Sequence, residues 1–287
     1  MATNKKPGKW RKRTLAVRGG QVRSQFQETC EPLILTAGYA YEVAEEAEAR
    51  FKGAPGYTYT RYGNPTTSIF EERMALLEGA PVARATSSGM AAVNASLMCC
   101  VKAGDHIVAA RSMFGAIHYI IGEILGRFGV QSTIVDGTDL DAWRDAMRPE
   151  TKIAFFETPS NPTLEIIDIA GVAEIAHKAG AKLIVDNVFA TPIWQSPLAL
   201  GADVVVYSAT KHIDGQGRCL GGVILASEKF IADNVQTFLR QTRPSMSPFN
   251  AWVMLKGMET LGVRVRQQTD TAAKVANALD KGRGWRI

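Results

Sequence analysis

Lys182-Leu-Ile-Val-Asp186-Asn187 and, further on, Asp203-Val-Val-Val-Tyr-Ser208-Ala-Thr210-Lys211-His212 are the two stretches that decide the fold. Each is a short, unbroken apolar run that ends abruptly in polar side chains. A strand with one wet face alternates apolar and polar residues, whereas an unbroken run belongs to a strand buried on both faces. Such strands occur in mainly parallel sheets with helices packed on either side.

Working outward, the same pattern recurs. His106-Ile-Val-Ala-Ala110, Ser132-Thr-Ile-Val-Asp136, Lys152-Ile-Ala-Phe-Phe-Glu157 and Gly221-Gly-Val-Ile-Leu-Ala226 read as further strands. Helical periodicity separates them. Thr66 or Thr67 is expected to cap a helix carrying Ile69, Phe70, Met74 and Leu77 on one face, with Gly79 ending it. Ser87-Ser88-Gly89 opens a second helix that runs through Val101; others cover 117–128, 139–147 and 169–179, where Gly180 stops the last. Residues 227–280 read as helical, with a longer helix near 251–258. The expectation is an α/β fold, a mainly parallel sheet sandwiched by helices.

Residues 1–60 lack this regularity. Apart from a short helix over 42–50, they read as an extended arm that packs on a neighbouring subunit and is partly disordered. Residues 61–260 form the large domain, and 261–287 read as the beginning of an incomplete C-terminal domain.

Composition narrows the class. The chain has 287 residues, 46% hydrophobic and 21% charged, which is the balance of a globular protein with a substantial core. No uncharged apolar run approaches the ~20 residues of a membrane span, and the basic N-terminus leads into no signal-type apolar segment. Cys30, Cys99, Cys100 and Cys219 form no CxxC or zinc spacing and read as free thiols of a cytoplasmic protein. The net charge of +5 is concentrated among Lys5, Lys6, Lys9, Arg11, Lys12 and Arg13, a solvated tail and not a nucleic-acid reader. His106, His118 and His177 sit in different elements, so no metal site is expected. Gly215-Gln-Gly217 lacks the rest of a dinucleotide fingerprint.

Ligands of open α/β sheets bind beyond the carboxyl ends of the strands. Those ends carry Glu157-Thr-Pro-Ser-Asn161, Asp186-Asn187 and Ser208-Ala-Thr210-Lys211-His212, while Ser88-Gly89-Met90 offers the free N–H groups of a helix start. Singly these are ordinary: a lone lysine is usually a surface lysine, and a lone aspartate is usually a cap. Together they supply an anion site, hydroxyls, a carboxylate and an amine. That is what pyridoxal 5′-phosphate (PLP) requires at its phosphate, its ring nitrogen and its aldehyde.

The stretch from Asp186 through Gly201-Ala-Asp-Val-Val-Val-Tyr-Ser-Ala-Thr-Lys211-His-Ile-Asp-Gly-Gln-Gly217 resembles the signature of the Cys/Met-metabolism PLP enzymes, the trans-sulfuration family. Tyr59-Thr-Arg61-Tyr-Gly-Asn-Pro-Thr66 resembles the family's phosphate-binding arm, and the likeness runs from about Gln27 to about Leu279. The resemblance implies the type I PLP-dependent transferase fold of aspartate aminotransferase. It also implies a homodimer or homotetramer with shared sites, acting on a small amino-acid substrate and sulfide, with neither nucleic acid nor membrane as partner.

Carried over by motif, Lys211 would hold the cofactor as a Schiff base and shuttle protons. Asp186 would face the ring nitrogen and Asn161 the ring hydroxyl. Gly89, Met90, Ser208 and Thr210 would hold the phosphate, Phe114 would stack on the ring, and Tyr59 and Arg61 would reach a neighbouring subunit's site. Tyr59 is also a candidate catalytic group. Many members carry tyrosine where this chain has Phe114; the swap and the stretch 242–260 are similar to the O-succinylhomoserine sulfhydrylase branch. That implies γ-replacement of succinate by sulfide in methionine biosynthesis. Cystathionine γ-synthesis and the γ-lyase reactions are the neighbouring alternatives, and an inactive PLP-binding fragment is the alternative of another class.

Overall fold

The computed structural model describes residues 10–242 and 244–281. Seven strands form one sheet: β1 (Val82–Thr86), β2 (His106–Ala110), β3 (Gln131–Val135), β4 (Thr151–Glu157), β5 (Lys182–Asp186), β6 (Val204–Ser208) and β7 (Gly222–Ala226). Their spatial order is β1-β7-β6-β5-β4-β2-β3. Strands β3, β2, β4, β5 and β6 are mutually parallel, and β7 alone runs antiparallel, between β6 and β1.

The unbroken apolar runs are explained by burial on two sides. In β4, Ile153 and Phe155 join one core with Ile107, Ile184 and Val206; Ala154 and Phe156 join the other with Val108, Val185 and Tyr207. Side chains alternate with a period of two, and both sets find a dry partner, so no polar residue is required until the strand ends.

Helices supply the two outer layers. They are α1 (Lys12–Arg18), α2 (Ala44–Phe51), α3 (Pro65–Glu78), α4 (Gly89–Met98), α5 (residues 115–127), α6 (Leu140–Ala146), α7 (Ile169–Lys178), α8 (Thr191–Trp194), α9 (residues 228–242) and α10 (Pro248–Lys281). Both α5 and α9 contain a wide, π-type turn, over Tyr119–Ile124 and Ile231–Val235. α10 is 34 residues long, so it extends about 50 Å. Its first half buries Met254, Leu255, Met258, Leu261 and Val265, whereas the residues from Arg266 onward are exposed.

Three details differ from what the sequence predicts. β1 carries Arg84 at its centre, which hides the strand pattern; the guanidinium turns outward to Gln236 at 2.6 Å. The cap of α3 is Asn64, whose side chain accepts from Thr66 N at 2.9 Å, with Pro65 in the first helical position. Thr66 instead donates its hydroxyl to Pro32 O at 2.8 Å and accepts Ile34 N at 3.0 Å, holding the N-terminal segment to the domain. That segment is also less extended than expected, since α1 is helical and packs on α3 and α10 with Ala16 buried. The helix α10 runs unbroken through residues 260 and 261.

Candidate active site

Parallel strands bring their carboxyl ends to one rim. Glu157 and Asp186 are register partners on β4 and β5, Asp186 pairs with Val206 on β6, and Ser208 faces Gly222 on β7. Above this rim lies a cavity of about 490 Å3. Gly89, Met90, Phe114, Asn161, Asp186, Ser208, Thr210 and Lys211 all line it. Eight residues drawn from five separate stretches of sequence thus converge.

The anion end is built from α4. Ser88 caps the helix by accepting Ala91 N at 3.1 Å, so the N–H groups of Gly89 and Met90 point outward with no partner among the described residues. Gly89 is required here: a Cβ would fall 2.5 Å from the Ser208 Cβ, so only glycine lets the helix start close on the end of β6. Thr210 is already engaged, donating its hydroxyl to Gly221 O at 3.2 Å and accepting Gly221 N at 3.0 Å. It braces the turn that carries Lys211. The backbone of Lys211 is tied into the turn, its N–H donating to Ser208 O at 3.2 Å, whereas its exposed side-chain amine has neither a hydrogen bond nor an ion pair among the described residues.

The opposite end is acidic. Asp186 is buried, and burial together with the neighbouring Glu157 carboxyl pushes its pKa up to about 8. Its Oδ1 accepts Val188 N at 3.1 Å, but no cation pairs with it among the described residues. A carboxyl in this position favours a proton or a protonated nitrogen beside it. Burial also raises the Glu157 pKa. Glu157 accepts Phe114 N at 3.0 Å and the Asn161 N–H, so one carboxyl fixes the two loops that carry the ring-stacking and ring-hydroxyl candidates.

The sequence reading missed this role of Glu157. Its only signal there was an acid at the end of an apolar strand. It also missed Phe189 and Gln268, which line the cavity. Gln268 comes from α10 and hydrogen-bonds His212, whose pKa is lowered by burial and the nearby Arg264. His212 is therefore a packed neighbour of Lys211.

Tyr59 and Arg61 lie elsewhere. Tyr59 is 42% exposed, and the Arg61 guanidinium donates to Arg240 O at 3.0 Å and lies 4.8 Å from the Tyr62 ring centre. Neither lines the cavity of its own chain. Among the described residues no cluster of three metal-ligating side chains occurs, and no helix is long and apolar enough to cross a membrane. The four cysteines are free thiols.

The donor set fits PLP on this structure's own terms: an uncompensated buried acid, free helix N–H groups and an unpaired lysine amine line one cavity. Fold and cavity together define a type I PLP-dependent enzyme scaffold. The chain belongs to the Cys/Met metabolism PLP-dependent enzyme family, which it matches over residues 13–283.

It is 55% identical over 268 residues to the O-succinylhomoserine sulfhydrylase of Mycobacterium tuberculosis (strain ATCC 25618 / H37Rv), covering 93% of this chain and 66% of that protein. It is 39% identical over 271 residues to the L-methionine gamma-lyase of Porphyromonas gingivalis, covering 93% of this chain and 68% of that protein. The chain thus spans about two thirds of the length of these curated relatives. In three dimensions it is similar to a candidate O-acetylhomoserine (thiol)-lyase from Campylobacter jejuni subsp. jejuni NCTC 11168, which holds N′-pyridoxyl-lysine-5′-monophosphate. The TM-score is 0.91 at 30% identity, over 96% of this chain and 76% of that one.

Proposed function

We propose that the chain belongs to a cytoplasmic PLP-dependent enzyme that replaces the γ-substituent of an amino acid, converting O-succinyl-L-homoserine and sulfide to L-homocysteine and succinate. The single observation that carries the reading is the buried Asp186, with no cation partner among the described residues, lining the same cavity as the helix start at Gly89 and Met90. The 55% identity to a sulfhydrylase supports the choice of reaction.

Bound there, the cofactor supplies an electron sink conjugated to the substrate's α-amino group, which acidifies the Cα–H and then the Cβ–H. Asp186 keeps a proton on the ring nitrogen, because a carboxylate buried without a cation is stabilised most by a protonated nitrogen beside it. The N–H groups of Gly89 and Met90, with the Ser208 hydroxyl and the Thr210 turn, hold the phosphate. Asn161 contacts the ring hydroxyl. Phe114, 45% exposed toward the cavity, covers the ring face and moves no proton, since it lacks a hydroxyl. Lys211 would anchor the cofactor through its amine and, when not so engaged, that amine would take the substrate's Cα proton and return it. As succinate leaves and sulfide adds at Cγ, the remaining proton movements fall to Lys211, to water, and to Tyr59 of a neighbouring subunit.

Tyr59 and Arg61 complete the phosphate end in that neighbour, which makes the working unit at least a dimer. The reading is supported by their exposure and by their absence from their own chain's cavity. An arginine fork is suited to a phosphate. A second reading, γ-elimination on the same scaffold, is favoured by the likeness to a methionine gamma-lyase. The test is to add PLP to the purified chain, then O-succinylhomoserine, then sulfide, following the visible spectrum and homocysteine. A substrate-dependent band and homocysteine formation, both abolished by Lys211→Ala, are expected. Appreciable turnover by Lys211→Ala, or a release of 2-oxobutyrate unaffected by sulfide, overturns the proposal.

A further inference from the structure

Outside the lining of the cavity lies a second buried carboxyl that the proposed chemistry does not use. Glu78 is the last residue of α3, held in place by the left-handed turn at Gly79 (φ 83°). It is only 4% exposed, yet no salt bridge satisfies it among the described residues. Tyr207 on β6, itself 1% exposed, donates its hydroxyl to Glu78 Oε2, while Glu78 Oε1 is buried without a hydrogen-bond partner. The chain of bonds continues toward the cavity. Asn187 donates from Nδ2 to the Tyr207 oxygen at 2.6 Å, and its Oδ1 accepts Gln195 Nε2 at 2.7 Å. Asn187 follows Asp186 directly, and its backbone N–H donates to Val206 O at 3.1 Å.

Each bond in this row has one direction: amide to phenol, phenol to carboxylate. It fixes which way the Asn187 amide faces and so clamps the 186–188 turn in which Val188 N holds the Asp186 carboxyl. We infer that Glu78 is a positioning residue for Asp186, acting through Tyr207 and Asn187, and that Lys12 of the N-terminal helix tunes it. The inference rests on the reading of Asp186 as the partner of the cofactor's ring nitrogen.

Three elements face Glu78. Tyr207 comes from β6, Lys12 from α1 acts on it by charge, and the Leu198 N–H comes from the turn at 197–200. Lys12 is pinned nearby, donating to Pro192 O and to Ser196 Oγ at 3.0 Å. Burial dominates, and it pushes the Glu78 pKa up to about 7. The carboxyl therefore changes charge in the physiological range. When it is ionised, the Tyr207 bond becomes charge-assisted and stronger, and the row holds Asp186 more firmly. Asp186 also sits in the field of the pair, since its charge and that of Glu78 both push the Tyr207 pKa well up.

The test uses the full 287-residue chain and reads cofactor affinity and not turnover. The dissociation constant for PLP is measured by tryptophan fluorescence from about pH 6 to 8.5 for wild type, Glu78→Gln, Tyr207→Phe, Lys12→Met and Asp186→Ala. Glu78→Gln keeps an acceptor for Tyr207 but cannot ionise. The ratio of wild-type to Glu78→Gln affinity is expected to rise about tenfold across neutral pH, with its midpoint near the Glu78 pKa. Lys12→Met moves that midpoint to higher pH, because the cation that favours ionised Glu78 is gone. Tyr207→Phe, which breaks both bonds, lowers affinity about tenfold at high pH and flattens the profile.

A ratio that stays flat with pH overturns the inference even if Tyr207→Phe fails to fold, and so does wild-type affinity in a folded Tyr207→Phe. Asp186→Ala separates this failure from that of the larger proposal. If Asp186→Ala binds PLP as wild type does, the assignment of the ring-nitrogen partner falls. If it loses binding while Glu78→Gln shows no pH effect, only the positioning role falls.

Discussion

Two buried carboxylates in this molecule are equally hidden and oppositely placed. Glu31 is 4% exposed and lies between Arg73, which is fully buried, and Lys256; hydrogen bonds to both cations hold its pKa down against the cost of burial. Asp186 is 7% exposed and has Glu157 for a neighbour, so burial and like charge push its pKa up to about 8. The first site is closed on itself and joins the N-terminal segment to α3 and α10, with Trp252 Nε1 donating to Glu31 O at 3.0 Å. The second is open toward a cavity. Burial alone does not say whether a charge is structural; the sign of the nearest charge does.

The contrast breaks most severely at Arg73. Arg73→Ala leaves Glu31 with Lys256 alone and opens a cavity in the core, and is expected to cost about 3–5 kcal/mol of stability, read from the urea midpoint. A loss below ~1 kcal/mol would show that the pair is dispensable.

Next comes Asp186→Asn. Removing a carboxyl that is uncomfortable without its cofactor is expected to raise the melting temperature of the PLP-free chain at about pH 8.5 by roughly 5 °C, while weakening PLP binding at least about tenfold. Both readings move in opposite directions only if the acid is strained for a ligand; a drop in both would assign Asp186 to structure.

The pH dependence sharpens the same point. Glu31 has a folded pKa below its unfolded value, so its contribution is present above the ordinary glutamate range and is lost as pH falls through the folded value. Asp186 has a folded pKa above its unfolded value, so its contribution is present in acid and is lost as pH rises from the ordinary 3.8 toward about 8. Stability curves of the PLP-free chain against pH should therefore flatten on the alkaline side in Asp186→Asn. An unchanged alkaline limb would mean that the carboxyl is already ionised at neutral pH.

The smallest effect belongs to Glu157→Gln. It removes the like charge beside Asp186 but keeps an acceptor for the Phe114 N–H. The Asp186 titration, followed through the alkaline limb of PLP-free stability, should move to lower pH with little change in the melting temperature at about pH 6. No movement would leave burial as the sole cause of the Asp186 shift.

Much of this was legible without coordinates, for a reason that holds element by element. β2, β4, β5, β6 and β7 announced themselves because both faces are dry, and α7 because its helical pattern runs up to Gly180, which ends it. β1 escaped because Arg84 faces outward in the middle of five residues. α1 escaped because its one buried residue, Ala16, gives no periodicity. In the site, the strand-end rule and the family likeness pointed to Lys211, Asp186, Ser208 and the Gly89 turn, which line one cavity. They placed Glu157 at a strand end but could not show that it holds Phe114 and Asn161, nor could they locate Gln268, because both roles depend on which loop or helix packs beside them.

The sequence by itself determined the local facts: which runs are dry on both sides, where a helix starts with free N–H groups, and which lysine and aspartate close their strands. Side-chain chemistry and chain stereochemistry act over a few residues, and those are written in order along the chain. Only the tertiary structure decided which charges became neighbours. Glu31 found Arg73 and Lys256 across 42 and 225 positions of chain, and Glu78 met Tyr207 across 129. Asp186 met Glu157 through the register of two strands. A carboxyl's charge state is set by what lies within a few ångströms of it, and that distance is fixed by packing and not by sequence separation.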